Sequence, residues 1–540
     1  MKIHIKDLKT VIFYFLLAIV IGAIWVSTGC RKDLGNYDYA VMDTLGIENI
    51  ADTIKLEVGI VPNIVPELAL KNGKQFNEDD YTYEWVTYND RVASTVDRRR
   101  TIATTKNLDS LTGLGVGDYA AYYVVKQKST GISWQKHFTI VVSGSIKKAG
   151  WLVLSEVNNN SQLDYFEENQ ETWANFPIIY RNLPSIIDDG AGSGGKLELK
   201  GKPYSLETFT NRDPINTAPK YWVYISTDQS TEKINITDGF TWDSEKYLFA
   251  NEMLLGEPIV PSQLTASSSY ASYAYAQGDM YSYYFTTQKF YSAPLNRISG
   301  GNLFNISPHF VVVISSGMHC VFFDTDNKRF VRTNSSSTTA APINTPAQAF
   351  DMGNMGKELV WMGYTRVYGG QLVAVFKDTD NRYYLARITF TTSGTSASFT
   401  TISLEDITSA LTNISTAEFF TMDQQYGYLF YTSGSKLYQY DMDNKVVKMV
   451  KDYGSRKISL LKVNRCFVTP GSPSFNSNLE RWAPPNYAII VATYDEAAPS
   501  TSGQVDFYNA PGLLGDLTMY YDSFTGMGKV ADVKYSEQSN

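Results

Sequence analysis

Histidine and cysteine are nearly absent from this chain of 540 residues, which holds four of the first and three of the second. His4 precedes an apolar leader, so His137, His309 and His319 remain, scattered with no metal-ligand spacing. Beyond Cys30 only Cys320 and Cys466 follow, too few to staple so long a chain. Both stand in strand-like runs, HCVFF and RCFV, and are expected as buried free thiols rather than a bridge. Positive charge is scarce as well: 47 Lys and Arg stand against 55 Asp and Glu, a net charge of −8. The one dense basic run, Arg98-Arg99-Arg100, reads equally as a solvated turn, and nucleic acid is argued against because phosphate recognition needs a concentrated positive surface. After Lys147 and Lys148 amphipathic patterns of ten or more residues are missing, so helix is minor there. No G-x-S-x-G, H-E-x-x-H or Walker A motif occurs, and no cofactor-binding or metal-binding pattern replaces them.

Aromatic residues are abundant, at 14% of the chain with 38 Tyr, and predict a large buried core. The long apolar run is confined to the beginning. Lys2, Lys6 and Lys9 precede uncharged residues from Val11 to Val26, followed by Ser27, Thr28, Gly29 and Cys30. This is the layout of a cleaved signal peptide over residues 1–29, the alternative being an uncleaved membrane anchor. STGC resembles a bacterial lipobox, with Ser27 where Leu is usual, and the resemblance implies that Cys30 carries lipid and anchors the mature chain to a membrane.

Residues 30–48 are polar and aperiodic, as in a tether. Strand signals follow in TIKLEVG, YTYEWVTY, GVGDYAAYYVVKQ and QKHFTIVV, making a sandwich-sized unit over residues 49–145. From 147 to 540 strands succeed one another. Six segments share an apolar strand, polar turn and return strand, 150–166, 221–236, 309–332, 369–390, 426–450 and 486–508, and the Tyr-rich stretch 268–290 is counted with them as a seventh. The turn D-x-D-N-[KR] recurs at Asp324, Asp378 and Asp441, 54 and 63 residues apart, with Asn327, Asn381 and Asn444 as equivalent positions of different repeats. That period predicts an all-β chain in which an immunoglobulin-like domain precedes a β-propeller, seven-bladed by the segment count, with six or eight blades or stacked sandwiches as alternatives.

Trp85 in YTYEW and the run LGVGDYAAYYVV, with Gly117 and Asp118 before Tyr119, resemble the core Trp and the turn and following strand of immunoglobulin-like PKD domains. Together with the opening CRKDLGNYDY, the first domain resembles the PKD-like lipoproteins of Bacteroidetes encoded beside SusC/SusD-type nutrient importers. The resemblance implies an outer-membrane accessory lipoprotein, facing the cell exterior, whose partners are importer subunits or other surface lipoproteins.

Calcium fits the Asp-rich turns poorly, since the fifth position of each is Lys328, Arg382 or Lys445 and a cation cannot ligate a cation. Paired carboxylates are the remaining route to catalysis, but the neighbours Glu167-Glu168 and Asp188-Asp189 point to opposite faces in a strand or to solvent in a loop. Binding is better motivated. Loop aromatics Trp173, Tyr204, Trp242 and Trp482, with Phe176, Phe209 and Phe240 beside them, are candidates for a glycan or peptide platform, with local packing as the competing role. A non-enzymatic binding or docking protein is therefore expected. The competitors are a glycoside hydrolase or polysaccharide lyase on the same scaffold and a purely structural interaction module.

Overall fold

The computed structural model describes residues 10–19, 44–57, 61–88, 99–110, 112, 114, 117–143, 146, 149–168, 176, 178–187, 189, 196–211, 220–236, 240–242, 260–268, 271–284, 289–313, 318–464, 486–510 and 512–536. Cys30, Trp173, Cys466 and Trp482 lie outside the described residues. Residues 10–19 are helical, and no helix among the described residues is long and apolar enough to cross a membrane. Nearly everything else described is strand, turn or short helical turn.

The chain divides into two compact units, Met1–Glu48 with Glu67–Asn77, and Asn49–Pro66 with Glu78–Asn540. In the first, Leu45–Glu48 pairs antiparallel with Glu67–Leu70. The second begins with a five-stranded sheet in the order Thr53–Glu57, Ser133–Ser143, Gly117–Gln127, Tyr81–Tyr88, Arg99–Ala103; its first pair is parallel and the rest antiparallel. Cross-strand register sets Trp85 opposite Tyr123, their rings 4.4 Å apart, with Phe138 at 5.8 Å. Trp85 is fully buried, and its indole N–H donates to the Thr105 carbonyl at 3.0 Å, so the ring adds apolar burial without an orphaned donor. The core position expected of Trp85 is the one it occupies.

Among the described residues seven antiparallel sheets follow, six of four strands in up-and-down order and the last with the same four-strand path and a fifth strand, Phe524–Met527, paired with Gly503–Asn509. The second to seventh open with the strands Pro203–Asn211, Pro261–Ser268, Ile306–Val312, Glu358–Thr365, Ala417–Met422 and Lys457–Val463. The first sheet is assembled from both ends of this region. Gly150–Val157, Asn160–Glu167 and Ile178–Tyr180 are joined by Lys529–Ser536, which pairs with Gly150–Val157. Each opening strand packs beside the next, Lys457–Val463 packs beside Lys529–Ser536, and Lys529–Ser536 packs beside Pro203–Asn211. Each of the seven segments noted in the sequence falls in a separate sheet.

Apolar side chains from neighbouring sheets share cores. Trp222 and Tyr224 of the second sheet join Leu264 and Tyr283 of the third, and Val375 of the fifth joins Tyr431 of the sixth. Trp151 and Tyr535 of the first sheet join Ile490 and Phe507 of the seventh, with the Trp151 and Phe507 rings 4.5 Å apart. Strands buried on both faces explain why runs such as Gln371–Lys377, QLVAVFK, read as continuous apolar stretches without alternation.

The recurring Asp turn departs from its expected equivalence. Asp324 and Asp378 close the link between second and third strands of the fourth and fifth sheets, whereas Asp441 closes the third-to-fourth link of the sixth, at the opposite end of its sheet. The left-handed residue differs too: it is Asn381 in one turn (φ 62°) but Lys328 (φ 49°) and Lys445 (φ 56°) in the others. Asn327 and Asn444 instead donate their side-chain amides to Asp324 and Asp441, each at 2.9 Å. The motif is a local device, a carboxylate accepting backbone N–H groups two to four residues on, and it closes a hairpin at either end of a sheet.

Candidate functional site

A cleft of about 510 Å³ is lined by the strands that open the second to seventh sheets and by Lys529–Ser536. In the last of these, KVADVKYS, Asp532 and Lys534 stand two residues apart and share a face. Lys534 Nζ lies 2.6 Å from Glu207 Oε1, and Lys462 Nζ lies 2.6 Å from Asp532 Oδ1.

Each carboxylate also accepts backbone N–H groups. Glu207 takes those of Thr208 at 2.9 Å and Ala266 at 3.1 Å; Asp532 takes those of Leu206 at 2.7 Å and Val533 at 2.8 Å. Asp532 therefore ties the seventh, first and second sheets together, and Glu207 the first, second and third. Buried carboxylates are tolerated because a cation and amide donors replace the lost water, and charge-assisted bonds of this length are the strong ones.

Around this polar ladder stand His309, Trp361, Glu418, Phe419 and Tyr204. Burial pushes the His309 imidazole below its ordinary range, which leaves it neutral near pH 7. Trp361 stacks on Phe420 at 5.8 Å, whose ring faces Tyr431 at 6.1 Å. Glu418 is exposed. The wall thus offers an aromatic face, a neutral imidazole and one solvated carboxylate, a surface suited to holding a polar ligand.

Of the aromatics singled out from sequence, Tyr204 lines this cleft with 43% of its surface exposed. Trp242 lies elsewhere, half-buried on Thr241–Trp242, the last strand of the second sheet, where it pairs with Ile234. Phe240 is buried 5.1 Å from Tyr165, and Phe176 packs 4.8 Å from Phe524, so both serve local packing. Trp173 and Trp482 lie outside the described residues, and of Phe209 only the backbone is described.

Glu167 and Glu168 do take separate partners, Tyr180 O–H at 3.2 Å and Tyr535 O–H at 2.6 Å, and both are buried rather than solvated. Cys320 is a buried free thiol, and burial raises its pKa well above the usual thiol value. Among the described residues no three His, Cys, Asp or Glu come together as a metal site.

The sequence left Glu207, Lys462, Asp532 and Lys534 unremarked. They lie up to 327 residues apart, and the signal available was a charge in an otherwise apolar strand: LE at 206–207, LLKV at 460–463 and ADVK at 531–534.

Residues 30–189 match the PKD-like family, so the chain carries a PKD-like domain at its amino-terminal end, a non-catalytic module. No curated protein matches the sequence. Among solved structures, the chain is similar to a quinonprotein alcohol dehydrogenase-like protein from Bacteroides thetaiotaomicron: 11% identity, 92% of this chain and 100% of that one covered, TM-score 0.47. The extracellular domain of a one component system from the same organism is similar at 11% identity over 90% of this chain and 71% of that one, TM-score 0.35. The Aleuria aurantia lectin in complex with alpha-methyl-L-fucoside follows at 11% identity over 60% of this chain and 95% of that one, TM-score 0.31. The chain is an all-β protein in which a PKD-like module is joined to further β-sheets, an organisation consistent with an interaction or accessory role.

Proposed function

We propose that the seven sheets form a seven-bladed β-propeller, and that the chain is an accessory lipoprotein of the outer membrane, held by lipid on Cys30 and facing the cell exterior. It serves a SusC/SusD-type nutrient uptake system, binding a glycan or peptide in the cleft or docking on the importer, with the immunoglobulin-like domain as spacer. Support for the propeller comes from the up-and-down order of each sheet, the cycle of neighbouring opening strands and the completion of the first sheet by the last strand. Support for the location comes from the charged leader, STGC and the resemblance of the opening sequence.

One observation carries the non-catalytic reading: both buried carboxylates of the cleft, Glu207 and Asp532, are spent on a lysine and on backbone N–H groups. A two-carboxylate hydrolysis needs one group free to move a proton and another free to stabilise charge, and a carboxylate tied to three donors is poorly placed for either.

The test is purification of the native protein from detergent-solubilised membranes, with mass spectrometry for residue loss and acyl mass, and a panel of polysaccharides and peptides scored for both binding and products. Loss of residues 1–29, acyl mass on Cys30 and capture of importer subunits or of a ligand without turnover are expected. An unprocessed Met1 in the mature membrane fraction, or turnover abolished by Glu418→Gln, would overturn the reading.

A further inference from the structure

The outer strand of the fifth sheet, Ser396–Asp406, is 11 residues long. The outer strands of five other sheets, Ile178–Tyr180, Thr241–Trp242, Lys289–Phe290, Ala341–Pro342 and Thr518–Met519, have two or three residues. That of the sixth, Val446–Asp452, carries Lys448 and Lys451. Shortness and lysine are common defences of a strand whose free edge could pair with another chain. Ser396–Asp406 has neither. From Ser396 to Leu404 it reads SASFTTISL, without charge or proline, and among the described residues its only strand neighbour is Tyr383–Ser393.

This edge is protected in another way. Gln348, on the link between the fourth and fifth sheets, reaches it with its carboxamide: Nε2 donates to the Phe399 carbonyl at 3.2 Å, and Oε1 accepts from the Thr401 N–H at 2.7 Å. Alternate residues of a strand present their backbone groups to the same side, so Phe399 and Thr401 both belong to the free edge. A carboxamide is a peptide group in miniature, and here it makes one donor and one acceptor bond of the kind an added strand would make. The placement is built into the loop. Thr345 N–H donates to Asp351 at 2.8 Å, the Thr345 hydroxyl donates to the Phe350 carbonyl at 3.0 Å, and the Phe350 N–H donates to the Thr401 hydroxyl at 3.3 Å. These bonds fix the short segment that carries Gln348 against the strand it covers. Gln348 itself is exposed, so its carboxamide is held by hydrogen bonds and not by burial.

We propose that Gln348 guards this edge against a second copy of the chain, whose own Ser396–Asp406 would otherwise add to it antiparallel. The occupant follows from the strand itself, because two identical strands about a two-fold axis are self-complementary. Centred on Thr400, the pair sets Phe399 opposite Thr401 of the second copy and carries Glu405 and Asp406 past the other strand's Ser396, so no like charges meet. Glu405 is in any case paired with Lys445 at 2.9 Å. An intramolecular amide competes at high effective concentration, so the parent stays single at this edge.

Sedimentation equilibrium and hydrogen exchange of the mature chain in density-matched detergent test this, exchange being read on the peptide 396–406. The parent should sediment as one chain, with exchange independent of concentration. Gln348→Ala should self-associate at least about tenfold more tightly than the parent, and 396–406 should become protected as its concentration rises. Gln348→Glu keeps an acceptor for the Thr401 N–H and adds charge to the edge, so it should stay single. Thr400→Lys in the Gln348→Ala background should also restore the single chain, since the two lysines would face each other across the axis. A monomeric Gln348→Ala, a parent that already associates with protection of 396–406, association of Gln348→Glu, or association that Thr400→Lys does not reverse would each overturn the proposal. So would a Gln348→Ala edge protected more readily by an alternating Thr-Val peptide than by its own second copy.

Discussion

Replacing Lys534 by Met tests whether the ladder of ion pairs holds the opening strands together. The Lys534 and Glu207 side chains are 9% and 7% exposed, and the ammonium lies 2.6 Å from the carboxylate. Met preserves most of the stem's packing and removes the charge, so Glu207 keeps two backbone donors but loses its counter-charge in a place that water reaches poorly. Stranding one member of a buried pair costs about 3 kcal/mol or more. With an unfolding entropy of about 2.1 cal/mol/K per residue over about 390 residues, that cost lowers the melting temperature by about 4 °C if the seven sheets unfold together.

The double variant Lys534→Met with Glu207→Gln discriminates between causes. Gln keeps an oxygen acceptor for one of the two N–H groups and removes the stranded charge, so it should recover about half of the loss, as expected where the penalty is an unpaired charge and not a missing contact. Differential scanning calorimetry of the mature chain in detergent reads both. A single variant within about 1 °C of the parent, or a double variant no more stable than the single one, would refute the reasoning.

Ending the chain at residue 528 removes the strand that completes the first sheet, together with the Trp151 contact to Tyr535 at 5.2 Å and both ladder residues. Limited proteolysis should then cut the seven-sheet region rapidly, and a melting transition like the parent's would contradict its closing role. Asn381→Val should destabilise by about 1 kcal/mol because a β-branched residue is strained at positive φ, whereas Asn381→Gly, Lys328→Gly and Lys445→Gly should be neutral or stabilising; chemical denaturation distinguishes them. His309 is depressed by burial, so the unfolded chain protonates first as pH falls: its contribution is complete above about pH 6.5 and is lost as pH drops toward the folded value. His309→Gln should flatten that part of the stability profile, leaving the slope that His319 contributes, since it too is lowered chiefly by burial; an unchanged slope measured by thermal melts at several pH values would count against a buried neutral imidazole.

Local patterns carried most of the architecture. β-Branched and aromatic runs between Asn, Asp and Gly turns specify strands through side-chain period alone, so the seven hairpin segments could be counted along the chain, and Trp85 could be assigned to a core from its place in YTYEWVTY. The Asp turns show the limit of such reading. Their hydrogen bonds are satisfied within five residues, so the motif reports that a hairpin closes there and is silent about which strands it joins.

Tertiary structure decided the rest. Glu207, Lys462, Asp532 and Lys534 become neighbours because opening strands from distant parts of the chain lie side by side and the final strand returns to the first sheet. Trp242 and Tyr204 look alike in sequence, yet one lies on the last strand of its sheet and the other on the first, beside the cleft. A residue's type sets what chemistry it can offer. Which groups it meets depends on the order and register of strands, and those follow from burial summed over the whole chain rather than from the residues on either side.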